Sequence, residues 1–415
     1  MNKARIILFT VLFSVLLGAQ EQYSDKSGRL NGADKITGLE SGLIRGKKVG
    51  IVTNHTARLQ SGEHIVDVLH RSGICTVTAI FGPEHGWRGD AAAGDKIEHG
   101  VDTETGIPVY SLYGKISKPD KKMLSNVDVL LFDIQDIGAR FYTYISTLFK
   151  VMEAAAENRI PFIVLDRPNP LSGNLVEGPL LKKEYTSFVG IAPIPVVHGM
   201  TVGELAKFFQ GQKLIKDADQ LVLTVVPTDW NRNEYFPDYG QVWINPSPNI
   251  RNFDAALVYP GTCLFEATNL SEGRGTDAPF LKIGAPFIQA DELAKELTAM
   301  QIPGLRFAAV NFTPVADQFS APNPKHKNVK CGGVEIVVTD YKIVQPFRTG
   351  LLMLAAVWKL YPSKLDIKSA WLSKLTGTDV TEQLLKQGIE GTEIANRFMA
   401  DSEEFTLIRK KYLLY

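Results

Sequence analysis

Cysteine is scarce. The chain of 415 residues has three, Cys75, Cys263 and Cys331, and no two form a CxxC pair. A structural zinc site built on cysteine has no support, and three buried free thiols are the plain expectation. An excess of one charge is also missing. The 45 acidic and 45 basic residues cancel, and no long basic block occurs, which argues against nucleic acid as a partner. Several chemical fingerprints are absent. No GxGxxG or GxxxxGK[ST] follows a strand-like run, and there is no G-x-S-x-G elbow and no HExxH. Dinucleotide, nucleotide, serine-hydrolase and zincin readings lose their usual support, and no cofactor or metal is expected.

Long apolar runs are confined to the N-terminus. Lys3 and Arg5 precede an apolar run over 6–17, closed by Gly18-Ala19. That order of charge, short apolar middle and small residues reads as a secretory signal over 1–19, too short to span a membrane comfortably. No cysteine follows, so lipid attachment is not expected. The implied product is exported, periplasmic or secreted, with no stable membrane insertion after cleavage. Residues 20–36 are polar and contain Gly and Ser, which reads as a flexible lead-in.

The rest is patterned. Strand-like runs fall at 47–53, 76–81, 107–113, 128–134, 161–165 and 221–227, and helix-like runs at 63–71 and 141–158. Thr201 is placed to cap a helix, with Glu204 completing a capping box. Near-continuous apolar strands alternating with helices mean a parallel sheet covered on both faces. The fold class read from this is α/β: a Rossmann-like, doubly wound domain over 37–250. A smaller α+β domain over 251–415 is expected to complete a cleft, with a helix near 290–300, strands near 305–314 and 333–339, and a helix over 347–360.

In such a sheet, ligands bind beyond the carboxyl ends of the strands. Four of those ends carry polar or ionisable groups: Asn54-His55, Glu84-His85, Asp133 to Asp136 (then Arg140 and Tyr142), and Asp166 to Asn169. Each alone could be a solvated turn. The densest is FGPEHGWRGD at 81–90, where glutamate, histidine, tryptophan and arginine stand among three glycines. His198 adds another imidazole. The second half has its own cluster, with Glu266, Asn269, Glu272 and Arg274. Carboxylates, arginines and aromatics around a cleft suit carbohydrate chemistry, because aromatic faces stack on sugars and paired carboxylates split glycosidic bonds.

The motifs FGPEHGWRGD (81–90), DIQDIGARFYTY (133–144), DRPNP (166–170), EGP (177–179), HGMT (198–201) and YPGTCLFEATNLSEGRGT (259–276) with GAP (284–286) resemble the family of exo-acting β-N-acetylmuramidases. The resemblance covers about 37–415. It implies a Rossmann-like domain and a smaller one with the active site between them. It also implies release of N-acetylmuramic acid from the non-reducing end of peptidoglycan fragments in cell-wall turnover, with muramyl saccharides as partners. Glu84 matches the family's proposed catalytic glutamate. On that footing Glu84 is the expected general acid and His85 its orienting neighbour, and the second carboxylate is one of Asp133, Asp136, Glu266 and Glu272. The lactyl carboxylate of the sugar needs a cation. Arg140 and Arg274 are the first candidates and Arg88 a weaker one. Trp87 and Tyr142 are candidates for stacking, and Asn54, His55, Asn169, His198 and Asn269 for polar contacts.

Two other readings stay open on the residues alone. One is a metal-dependent periplasmic hydrolase using His55, Asp133, Asp136 and His198. The other is a binding protein for wall fragments that turns nothing over.

Overall fold

The computed structural model describes residues 28–88 and 99–415. The expected signal at 1–19 and the Gly89-Asp90 end of the FGPEHGWRGD motif lie outside the described residues. The described part of the expected lead-in, 28–36, is structured. Asn31 forms a capping box with Asp34 to start α1 (Gly32–Thr37), and Ala33 and Ile36 are fully buried.

The chain then runs β1 (Lys48–Thr53), α2 (Ile65–Ser72), β2 (Thr76–Gly82), β3 (Gly100–Val101), β4 (Pro108–Ser111), β5 (Val129–Asp133), α3 (Tyr144–Asn158), β6 (Phe162–Leu165), α4 (Val202–Gly211) and β7 (Leu223–Val226). These strands form one sheet in the order β3-β4-β2-β1-β5-β6-β7, parallel except at β3. Period-two alternation explains the two-sided core. In β5, Val129 and Leu131 face α1 and α2, while Leu130 and Phe132 face α3 and α4. Phe162 and Val164 of β6 repeat the second face, and Ile163 and Leu165 the first. The sheet is doubly wound, as the sequence pattern predicts. The chain reverses its direction of growth between the adjacent strands β1 and β5. Thr201 and Glu204 form the predicted capping box at α4.

The second part holds α5 (Phe253–Thr262), β8 (Lys282–Ala285), α6 (Ala290–Ala299), β9 (Leu305–Phe312), β10 (Cys331–Val338) and α7 (Pro346–Leu360). Four shorter helices follow: α8 (Ser369–Thr376), α9 (Val380–Lys386), α10 (Gly391–Asn396) and α11 (Met399–Arg409). The strands form an antiparallel sheet in the order β8-β10-β9, with α6 packed on it. The sequence pattern does not predict α5, because Pro260 and Gly261 read as breakers. Gly261 is needed for contact instead. A Cβ there would lie 2.1 Å from the Pro346 carbonyl oxygen, so α5 and α7 pack backbone to backbone.

One continuous core joins the two parts, running from Phe132 and Leu148 to Ile283, Leu351 and Phe405. Residues 409–415 return to the first sheet. Arg409 Nη1 donates to the carbonyls of Gly173 at 2.9 Å and His198 at 3.1 Å. The Tyr415 hydroxyl donates to Asp166 at 2.7 Å, and that of Tyr412 accepts from Gln212 at 2.8 Å. All three cysteines are buried and free.

Candidate active site

The β2 strand ends at Gly82, and the chain turns at once. His85 and Gly86 both have left-handed backbone, at φ 70° and 76°. A non-glycine residue rarely adopts that conformation outside tight turns, so His85 marks a sharply folded loop. The turn aims Glu84 and His85 into a cavity of about 1080 Å³ between the two parts of the chain. Glu84 Oε2 accepts a hydrogen bond from the Thr143 hydroxyl at 2.6 Å. The Tyr113 phenol stands on the same wall, and burial followed by the nearby Glu84 charge pushes its pKa up. Among the described residues no cation pairs with Glu84.

Aromatic rings line much of the wall. Tyr142 meets Tyr144 edge-on at 4.9 Å and Tyr259 at 5.8 Å, and Tyr259 meets Phe280 at 4.7 Å. Tyr113 and Phe188 sit 6.1 Å apart nearer Glu84.

The facing wall carries a charged chain. A 3₁₀ turn at Cys263–Ala267 presents Glu266. Left-handed Gly273 and Gly275 flank Arg274. Arg274 then lies 2.7 Å from Glu266 and 3.0 Å from Glu272, and Lys325 stands 3.1 Å from Glu272. Lys325 also donates to the Phe265 carbonyl at 2.7 Å and that of Leu270 at 2.9 Å. Burial raises the Glu272 carboxyl pKa, but Arg274 and Lys325 more than reverse this and hold it below the usual range. The same two glutamates raise the pKa of Arg274 against its own burial.

Glu84, His85, Tyr142, Glu266, Glu272 and Arg274 therefore meet in one cavity. The other sequence candidates do not line it. Asp133 is fully buried in a two-point ion pair with Arg167, at 2.5 and 3.0 Å. Asp136 caps the Gly138 N–H at 2.7 Å and lies 3.6 Å from His198, whose Nδ1 accepts from Met200 N. Both aspartates lie outside the cavity wall and are removed from the list of second carboxylates. Arg140 is wholly buried and donates to the carbonyls of Pro179, Ile194 and Leu375, which makes it a tie between segments and not a lactyl contact. Arg88 stacks 3.8 Å over Trp87 and pairs with Asp102 and Glu104. Trp87 itself packs edge-on to His64 on the α2 side of the sheet, so it is not a stacking platform in the cavity.

The polar candidates are likewise used locally. Asn54 accepts from Thr56, and His55 Nε2 lies 2.6 Å from the Asn245 carbonyl. Asn169 bridges Met200 and Leu171, and Asn269 bridges Lys364 and Asp366. Among the described residues no three His, Cys, Asp or Glu side chains gather in a way that could hold a metal ion. Of the four ligands of the metal-hydrolase reading, Asp136 and His198 lie 3.6 Å apart, and among the described residues no third ligand joins them. Sequence reasoning passed over Tyr113, Thr143, Lys325, Trp371 and Lys374, all on the cavity wall. Thr143 stood inside a quoted motif. The other four had no local signal.

Residues 49–254 match the family described as exo-beta-N-acetylmuramidase NamZ, N-terminal, and residues 257–415 match its C-terminal counterpart. The chain belongs to the NamZ exo-β-N-acetylmuramidase family. It is 44% identical over 413 residues to the peptidoglycan beta-N-acetylmuramidase NamZ of Bacillus subtilis (strain 168), covering 98% of this chain and 97% of that one. Two solved DUF1343 family proteins from Bacteroides fragilis NCTC 9343 share the fold. One has a TM-score of 0.85 at 32% identity and the other 0.78 at 33%, each covering 93% of this chain and 99% of the other. The NamZ halves meet between Asp254 and Leu257, at the start of α5, so the cavity draws residues from both.

Proposed function

We propose that this chain is an exo-acting glycoside hydrolase that releases N-acetylmuramic acid from the non-reducing end of peptidoglycan fragments, in cell-wall turnover. The relative from Bacillus subtilis is named a peptidoglycan beta-N-acetylmuramidase, and the family models are described as exo-beta-N-acetylmuramidase. The observation that carries the reading here is Glu84, a cavity-lining carboxylate with no cation paired to it among the described residues.

Glu84 is the proton donor to the glycosidic oxygen. Thr143 fixes its direction by a hydrogen bond. The second carboxylate is Glu266 or Glu272. Arg274 bridges the two and fixes where their carboxylates stand, and a carboxylate oxygen held toward the sugar stabilises an oxocarbenium-like transition state. The substrate's own acetamido group can serve as the internal nucleophile, in which case these glutamates act by charge alone. Tyr142 presents a ring to the sugar. The order of charge, apolar run and small residues over 1–19 supports a leader that directs the chain out of the cytoplasm, and a wall substrate supports the periplasm or beyond. Among the described residues no helix is long and apolar enough to cross a membrane.

The test is a pair of chromogenic substrates, a β-N-acetylmuramide and the matching β-N-acetylglucosaminide, offered to the purified protein with and without a strong chelator. Release from the muramide alone, unchanged by chelator, is expected. Release from neither substrate, with tight binding of wall fragments, would move the protein to the binding class.

A further inference from the structure

The cavity wall carries six formal charges besides His85: Glu84, Glu266, Glu272, Arg274, Lys325 and Lys374. Four of them cancel in one chain. Arg274 has one terminal nitrogen on Glu266 and the other on Glu272, and Lys325 divides its ammonium between Glu272 and backbone carbonyls. A substrate anion approaching either cation meets a carboxylate already in place. Two charges remain outside the chain. One is Glu84. The other is Lys374, which is exposed and makes no ion pair or hydrogen bond with any described residue.

Lys374 lies in the last turn of α8, three residues after Trp371, and both line the cavity. That spacing puts an indole and an ammonium on the same helix face. The helix packs on the 3₁₀ turn at Cys263–Ala267 that presents Glu266. Trp371 is half-buried and packed against the core, so its ring is held, while the lysine stem is free to follow a ligand. A pyranose on a fixed aromatic face with a mobile cation at its edge is an arrangement for a sugar that carries a carboxylate.

We infer that Lys374, with Trp371 beneath the ring, is the residue that reads the lactyl carboxylate of the muramyl sugar and so sets specificity over N-acetylglucosamine. This rests on the proposed function above. Arg274 then orders the glutamates and does not bind the acid.

The experiment measures binding of N-acetylmuramic acid and of N-acetylglucosamine to the full chain by calorimetry, for the native protein, Lys374→Met and Lys374→Arg. The KM and kcat for the β-N-acetylmuramide are measured alongside. Lys374→Met is expected to weaken N-acetylmuramic acid binding and raise KM by about tenfold or more, the size of one charge-assisted hydrogen bond. It should change kcat little and leave N-acetylglucosamine binding as it was. Lys374→Arg should restore most of the loss, and added salt should narrow the gap between native and Met proteins. Equal weakening for both sugars, or no weakening for N-acetylmuramic acid, overturns the assignment. If the native protein binds N-acetylmuramic acid but hydrolyses no muramide, the hydrolase reading fails and calorimetry still decides Lys374. If it binds neither sugar, the assignment fails as well.

Discussion

The sheet has two polar rims, and they behave in opposite ways. At the reversal between β1 and β5, where an open α/β sheet most often takes a ligand, the chain fills the crevice with itself. Asp133 is clamped by Arg167, Gln135 donates to the Pro168 carbonyl, and Thr56 accepts from the Gln135 N–H. A space of about 60 Å³ is left there, beside residues 241–244. One strand further out, at the end of β2, the rim opens on a cavity of about 1080 Å³. The first rim answers Asp133 with Arg167 and ties Asp166 to Thr201, Gly203 and Tyr415. Among the described residues, the second leaves Glu84 and Lys374 without a counter-ion. Strand-end position delivers polar groups to both, and what separates a site from a brace is whether the fold has already supplied the partner.

The sharpest way to break this contrast is Glu84→Gln. Turnover of the muramide should fall by at least about 100-fold with thermal unfolding unchanged, because a proton donor is lost and no buried pair is broken. Near-native turnover would return Glu84 to the structural class. The reverse expectation holds for Arg140→Ala. It strips three buried carbonyls of their donor and leaves a hole between segments, so stability should drop by about 3 kcal/mol or more in denaturant unfolding. A stable Arg140→Ala protein that has lost only muramide binding would make Arg140 a substrate contact after all.

The smallest effect is one of pH. Glu177 is buried against the first turn of α7, where it accepts from Phe347 N at 2.8 Å, and burial lifts its pKa from 4.5 to about 7. The folded state therefore holds a proton that the unfolded chain has released. The stability this group adds is full below its unfolded value and is lost as pH rises through about 7. Glu177→Gln should unfold at a higher temperature than the native protein above that pH and at the same temperature near 4.5, as melting curves across the range will show. Parallel curves at every pH would mean that the carboxyl titrates alike in both states.

These contrasts explain what could be read in advance. The strands were legible because burial on both faces of a parallel sheet writes a continuous apolar run, as in Val129–Asp133. The Thr201 cap was legible because its partner lies three residues away. Glu84 was legible as a cluster of unlike chemistries after a strand. Asp133 and Arg140 were misread because their partners lie far along the chain, at Arg167 and at Pro179, Ile194 and Leu375. From local sequence, a charge that is answered at long range cannot be told from one that is not. Trp371 and Lys374 were missed for the converse reason. A helix pair three residues apart says nothing until the fold places it on a cavity wall. The helix α5 was not legible, because Pro260 inside it favours a break locally and the backbone contact of α5 with α7 overrides that preference.

The return of residues 409–415 to the first sheet has a consequence for the order in which the molecule can be finished. The last strand of that sheet ends at Val226, yet Asp166 beneath it waits for the hydroxyl of Tyr415, and Gly173 and His198 wait for Arg409. At ribosomal speed the gap is roughly 10–40 s. Throughout that interval the first half has its strands but not its closure, so the half made first is the half completed last.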